Sequence, residues 1–491
     1  MSAPPRLWAV FAVLALVSAC SSTTATEDDV DSTAETQVAA DFVGAMTLDP
    51  SRGPAGTMVT VSGEGLPASS DLAMRWGTVS GSWVIQGERS EEYHGRAFDP
   101  VRVDLDTVRT DEAGSFTSTF EVPEDFGFAH DVMLIDEEGV IRNQAMFDVE
   151  MSVSVTPIEG PPGTPITIEV WGMGWQTLEN SRTIVYDNAY TGWMSAVTTN
   201  GYARAVIPAT GTPGEHQIGI LRGAYTFPYL NPDQSPRPDI PVFETTFTVT
   251  DDDPILPAPI EAQAWAPQPR SDGDSAPMSG AWVTTDMLSG PVGTPLTVSG
   301  GGVAAGDEVD IDWFRIVGNR VSGEGWGEES LTLGTAVADD DGSFELSVVV
   351  PGDVGGEHRI EAVADGETVA ITEFLITPAA MPLSNAAGPW GTEIVIDLTG
   401  VGWTETANIY TLVYDNTYLG YACGFNSQGH VVVTLTATGE PGWHFIDLYP
   451  AIYKGKESPG QQNFRIPQLT FEADHPGEDL PAFRYAFYLE G

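Results

Sequence analysis

Along this chain, apolar and polar side chains alternate in short bursts. Each burst starts at a Pro/Gly turn and stops at glycine. Gly160-Pro161-Pro162-Gly163-Thr164 opens one, Ile166, Ile168 and Val170 share one face of it, and Gly172 and Gly174 close it. The figure recurs from Gly53, Gly290 and Gly388, four copies in all. A period of two bounded by glycine predicts a half-buried β-strand, because successive strand side chains point to opposite faces. Later in each copy a second turn predicts a hairpin: Asp111 to Phe116, Thr198 to Ala203, Asp339 to Phe344 and Asn426 to Val431. Glycine supplies the positive φ that such turns need. No helical periodicity of useful length follows the first twenty residues.

A longer comparison reveals a second level of repetition. Gly160 to Tyr225 aligns with Gly388 to Tyr453 at a constant shift of 228 and without a gap. Trp175 then matches Trp403, Tyr186-Asp187-Asn188 matches Tyr414-Asp415-Asn416, and His216 matches His444. The first and third copies pair through Gly56 with Gly293, Trp76 with Trp313, and Phe116 with Phe344. There the shift falls from 237 to 228, so the first copy carries nine extra residues near Glu91-Glu92-Tyr93-His94.

The predicted fold is therefore all-β: four tandem immunoglobulin-like β-sandwich modules arranged as a duplicated A–B pair. Module A takes 46–150, B 151–250, A′ 281–378 and B′ 379–491, with a Pro-rich linker at 251–280. Val149 to Val153 leaves no spacer between A and B, so each pair is expected to be stiff, with bending between the pairs. Trp265 and Trp282 suggest that parts of the linker region dock on a neighbour.

The G-P-x-G-T, V-x-V-x-G-x-G and D-x-x-G-S-F patterns resemble bacterial Ig-like repeats of the IPT/TIG kind found on surface proteins. The resemblance covers all four modules and its motifs are structural. Modules B and B′ depart from it in long C-terminal additions, Pro228 to Thr250 and Ser458 to Gly491, read as extra edge strands or a lid.

Residues 1–19 hold Arg6 and an apolar run from Leu7 to Val17, the shape of a signal peptide and too short to span a bilayer. Val17-Ser18-Ala19-Cys20 resembles a lipoprotein lipobox, which implies cleavage before Cys20 and a lipid on its sulfur. Residues 20–45 are acidic and poor in large apolar groups, a disordered tether. The full chain carries 70 acids against 20 bases, a net charge of −50, and removal of Arg6 with the signal leaves −51. Such a field repels nucleic acid, attracts cations, and predicts stability that rises with salt. Of the two cysteines, Cys20 belongs to the lipid site and Cys423, aligned with Ser195, is expected to be small and buried.

Candidate chemistry is sparse. His130, His216, His358 and His444 occupy one repeated place, which suits packing better than catalysis. Asp339-Asp340-Asp341-Gly342 reads as a hairpin, with a weak surface calcium site as its alternative; no other cofactor or metal site is expected. Trp83, Trp326, Tyr190, Trp193, Tyr418 and Tyr421 follow turns or lie among polar residues, where exposed aromatics could bind a ligand.

These features lead to the expectation of a lipid-anchored extracytoplasmic protein, a non-catalytic structural, adhesive or interaction scaffold. Its expected partners are the membrane, through the N-terminal lipid, and an extracellular protein or polysaccharide. A carbohydrate- or peptide-binding lipoprotein is the alternative, and a hydrolase using scattered carboxylates is a further one.

Overall fold

A computed structural model describes residues 42–86, 92–224, 227–270, 280–319, 325–424, 427–453, 465–477 and 479–491. The signal, Cys20 and most of the acidic tether lie outside the described residues. In module A the strands are β1 (Ala45–Asp49), β2 (Arg52–Gly53), β3 (Met58–Glu64), β4 (Asp71–Gln86), β5 (Glu92–Arg109), β6 (Phe116–Glu121), β7 (Phe128–Ile135) and β8 (Ile141–Val149). One sheet has the order β1-β3-β6 and the other β2-β8-β7-β4-β5. All neighbours are antiparallel except β2, which runs parallel to β8. The first edge is thus divided between the two sheets, and Val59, Val61, Trp76, Val132 and Phe147 are sealed between them.

The same order recurs three times. In module B, 152–156, 165–171 and 203–208 face a sheet whose main path is 159–160, 243–249, 214–224, 182–186 and 189–194. Module B′ repeats it with 379–380, 393–399 and 431–436 against 387–389, 483–490, 442–451, 409–414 and 417–423. The alternating apolar positions face inward as the period of two predicts: Ile166, Ile168 and Val170 are buried in B, and Ile394, Ile396 and Leu398 in B′. The nine extra residues of module A lengthen the β4–β5 hairpin, whose strands run 16 and 18 residues against 12 and 13 in A′.

Two expectations need correction. Phe243–Val249 and Phe483–Glu490 are integral strands, hydrogen-bonded between the split first edge and the central strand of each sandwich. The described parts of the apparent C-terminal additions, 229–242 in B and 465–477 and 479–482 in B′, therefore precede the last strand of their module, and the B′ segment adds to the edge of B's sheet as an extra edge strand would. Nor do the pairs hang apart on a spacer. Ile255 N donates to Pro162 O at 2.8 Å on module B, and Ile260 sits in the core of B′. Gln263 Nε2 donates to Arg484 O at 2.8 Å while Arg484 N donates to Gln263 Oε1 at 2.6 Å. The linker is thus held to both modules, with Ile260 and Gln263 committed to B′ while Ile255, Leu256 and Trp265 keep exposed faces, and Phe42–Gly491 forms one compact unit.

Candidate functional site

Within each pair, the joint is built on backbone proximity. Gly127 N donates to Met173 O at 3.0 Å, and Gly355 N donates to Val401 O at 3.1 Å. A Cβ on Gly127 would lie 1.9 Å from Gly172 O, so only glycine lets module A come this close to B. Trp175 then packs its edge on His130, centroids 5.0 Å apart, and Trp326 packs on Trp403 at 5.7 Å. Trp326, read from sequence as an exposed platform, is thus a half-buried part of the A′–B′ joint.

The four repeated histidines stay in four separate sandwiches. His130 bridges Gly77 O (2.9 Å) and Phe126 O (2.8 Å) and stacks on Trp76 at 4.5 Å. His358 does the same with Phe314 O, Val354 O and Trp313. His216 and His444 instead face Asp187 and Asp415 and stack on Tyr186 and Tyr414. The core tryptophans are held by a carboxylate that sequence reading passed over. Trp76 Nε1 donates to Asp125 Oδ2 at 2.7 Å, and Trp313 Nε1 to Asp353 Oδ2 at 3.1 Å. The shared 228 spacing of Asp125 and Asp353 was the available signal.

Most of the remaining sequence candidates converge on one junction. The tip-ward part of the β4–β5 hairpin meets modules B and B′, where Trp83, Tyr93, Tyr190, Trp193, Tyr418, Ile452 and Ile466 form one apolar cluster. Trp193 is 0 % exposed because B′ sends its long loop across it. Trp193 N donates to Pro467 O at 2.9 Å and Leu469 N to Trp193 O at 2.8 Å, which extends the edge of B's sheet. Asp474 anchors the same loop: its carboxylate accepts from Val197 N (2.8 Å), Thr198 N (2.9 Å), Thr198 Oγ1 (2.8 Å) and Trp83 Nε1 (3.1 Å).

The Arg96 guanidinium lies 5.3 Å from the rings of both Trp83 and Trp193, and burial lowers its pKa. Tyr93 N donates to Glu405 Oε2 at 2.7 Å, and burial pushes its phenol up to about 12. Tyr190 meets Tyr418 edge-on at 6.4 Å, and Asn416 Nδ2 donates to Pro208 O at 2.8 Å. These aromatics are packed, not displayed; their rings are the cement of a three-module contact.

Tyr421 alone among the candidates is exposed, with the Arg465 guanidinium 5.4 Å from its ring. Cys423 is exposed as well, contrary to the buried expectation, because strand 417–423 is an outer edge of B′. Asp339 accepts from Asp341 N (3.0 Å) and Ser343 N (2.8 Å), so this carboxylate closes its own hairpin. Among the described residues no group of three or more metal-ligating side chains is gathered, and no helix is long and apolar enough to cross a membrane.

One feature of B′ escaped the sequence reading altogether. A cleft of about 800 Å³ opens between B, B′ and the docked linker, lined by Arg204, Phe445, Asp447, Phe471, Glu472 and Arg484 among others. Asp447 is 2 % exposed, its Oδ1 is 3.7 Å from Arg484 Nε, and its Oδ2 has no hydrogen-bond partner among the described residues. Burial outweighs the attraction of Arg484 and raises the carboxyl to about 6. The signal was present in the gapless alignment, where Asp447 replaces Gly219 and Tyr449 replaces Leu221.

No protein-family model matches this chain, and no curated protein matches it in sequence. Solved structures align only distantly. Escherichia coli alpha-2-macroglobulin activated by porcine elastase aligns over 91 % of this chain and 44 % of its own, at 11 % identity and a TM-score of 0.17. An ICAM-5 D1–D4 ectodomain fragment aligns over 91 % and 99 %, at 10 % identity and 0.17. The Yersinia pseudotuberculosis adhesin InvE aligns over 55 % and 73 %, at 13 % identity and 0.17. The present chain spans less than half the length of the first of these. At such scores none of them bears on module arrangement or function.

Proposed function

We propose that this chain is a lipid-anchored, extracytoplasmic, non-catalytic scaffold that presents its joined β-sandwiches as one interaction body. The observation that supports it most is the use of the conspicuous aromatics. Trp83, Trp193, Tyr190 and Tyr418 are spent on joining modules A, B and B′. Side chains committed to a contact of this kind hold the modules together and leave a fixed outer surface for a partner. The strongly acidic surface favours a partner with basic or cationic groups over nucleic acid.

Anchoring rests on the lipobox-like Val17-Ser18-Ala19-Cys20. Metabolic labelling with an alkynyl fatty acid tests it: the full chain should be labelled and sediment with membranes, and Cys20→Ala should be neither. Unchanged labelling in that variant would end the anchoring part of the reading. The scaffold part is tested with beads coated in the mature chain, which should be retained on cells of the producing strain. Beads carrying the Asp474→Ala variant should be retained less, because the seam that fixes the surface is loosened. Equal retention of both, or turnover of a glycoside or peptide substrate abolished by one carboxylate substitution, would overturn it.

A further inference from the structure

We propose that the cleft between modules B and B′ binds an organic cation, an ammonium or guanidinium group carried on a slender apolar body. The inference goes beyond the scaffold reading and does not depend on it. It begins with an acceptor that lacks a donor. Asp447 Oδ2 is buried at the wall of a roughly 800 Å³ cleft and bonds to nothing among the described residues. A buried carboxylate oxygen left unpaired is costly, and costlier than a neutral group in the same place. Arg484 does not cure it: the guanidinium stands 3.7 Å from the other oxygen and reaches onward to Val206 O at 3.3 Å. The Tyr449 hydroxyl, close enough for the Asp447 charge to raise its pKa, is likewise without a partner among the described residues.

Charge decides what kind of donor fits. The ionic groups lining the cleft are Arg204 and Arg484 against Asp447, Glu472 and Asp479, an excess of one acid. The whole chain adds a field of −50, which concentrates cations at its surface and excludes anions. A charged donor also gains more than a neutral hydroxyl from a carboxylate withdrawn from water. Phe445, Phe471 and Trp265 line the same space, and aromatic rings attract ammonium and guanidinium groups.

The cleft also has room for the body behind the head group. Trp265, Asp479 and Leu480 line both this cleft and a second cavity of about 260 Å³ at the A′–B′ joint. That cavity is walled by Ile376, Pro378 and Ala407 and suits an alkyl chain. The geometry thus assigns the cation to Asp447 and the apolar tail to the neighbouring lobe.

Calorimetric titration of the mature chain with agmatine, cadaverine and hexylammonium tests this, with hexanol and cellobiose as neutral probes. The expected result is saturable binding of at least one cation and none of the neutral probes. Asp447→Asn should weaken that binding tenfold or more. Ala258→Trp, which fills the cleft from an exposed position on the linker, should abolish it and decides the matter if the Asn variant does not fold. Absence of saturable cation binding, tighter binding of hexanol or cellobiose, or cation affinity unchanged in either folded variant would each overturn the proposal. None of these outcomes touches the labelling and bead experiments, so the two readings fail separately.

Discussion

Modules B and B′ share a strand order and an ungapped alignment, yet they finish differently. In B the loop before the last strand folds back on its own module, where Arg237 pairs with the buried Glu179 and with Asp239. In B′ the position of Glu179 is Ala407, so no carboxylate waits there for a returning arginine. The corresponding loop leaves instead and lies on B, bonded through Pro467, Leu469, Thr470 and Asp474. One copy is therefore covered and the other does the covering. Trp193 in B is fully buried, whereas its counterpart Tyr421 in B′ is 44 % exposed. Two equivalent positions acquire opposite environments because a contact hundreds of residues away reaches only one of them.

The largest test of this contrast removes the two rings in turn. Trp193→Ala should cost about 3–5 kcal/mol, the range for deleting a buried tryptophan, while Tyr421→Ala should stay within about 0.5 kcal/mol. Urea unfolding of the two variants measures both. Equal costs would mean that the cover seen over B contributes no more than the open edge of B′.

Next comes the anchor of the crossing loop. Asp474→Ala removes one acceptor and leaves the N–H groups of Val197 and Thr198, the Thr198 hydroxyl and the Trp83 indole without their partner. Leaving buried donors unsatisfied at roughly 1 kcal/mol or more each predicts a loss of about 3–4 kcal/mol. Amide exchange should quicken along 189–194 and stay unchanged along 417–423, the uncovered equivalent. Uniform quickening of both edges would show that the loop supports the whole chain and not module B in particular.

How far the sequence foretold all this follows from range. Strand order, the inward Ile and Val positions, the hairpin glycines and the core roles of Trp76 and Trp313 depend on contacts inside one repeat, and alternation reports them. Trp83 reads as displayed because its neighbours in sequence are polar and glycine-rich, and Trp193 because it follows the Asp187-Asn188 turn; the loop that meets both comes from B′. The same reason explains Cys423, judged by its buried homologue Ser195 although nothing among the described residues covers that edge as 465–474 covers B. Asp447 was legible in principle, as a charge standing where the sister copy has Gly219. It was lost among 70 acids until burial set it apart.

That substitution gives a third, pH-dependent test. Asp447 has a folded pKa raised to about 6, above the roughly 3.9 of an unfolded chain. Its favourable contribution is therefore complete below pH 4 and is lost as pH rises through 6. The wild-type chain should lose about 3 kcal/mol between those limits that Asp447→Asn does not lose. The quantity to measure is the difference between the two stability profiles, since the other acids cancel in it. Parallel profiles would mean that the cleft wall is wetter than its burial implies, and that B and B′ differ less in electrostatics than in shape.

The smallest effect separates exposure from stability altogether. In a Cys20→Ser background, maleimide should label Cys423 in the native chain within minutes, since its strand forms the open edge of B′. A cysteine placed at Ser195, 0 % exposed beneath Thr470 and Gln468, should react only when that cover lifts, and much more slowly. Ser195→Cys weakens the hydroxyl's bonds to Thr470 and Gln468 and should itself cost about 1 kcal/mol, so labelling is compared within that background. Adding Asp474→Ala should speed labelling at position 195 and leave Cys423 unchanged. If position 195 instead stays protected, the loop is held by Pro467 to Thr470 alone, and the carboxylate that joins it to module A is dispensable to the seam.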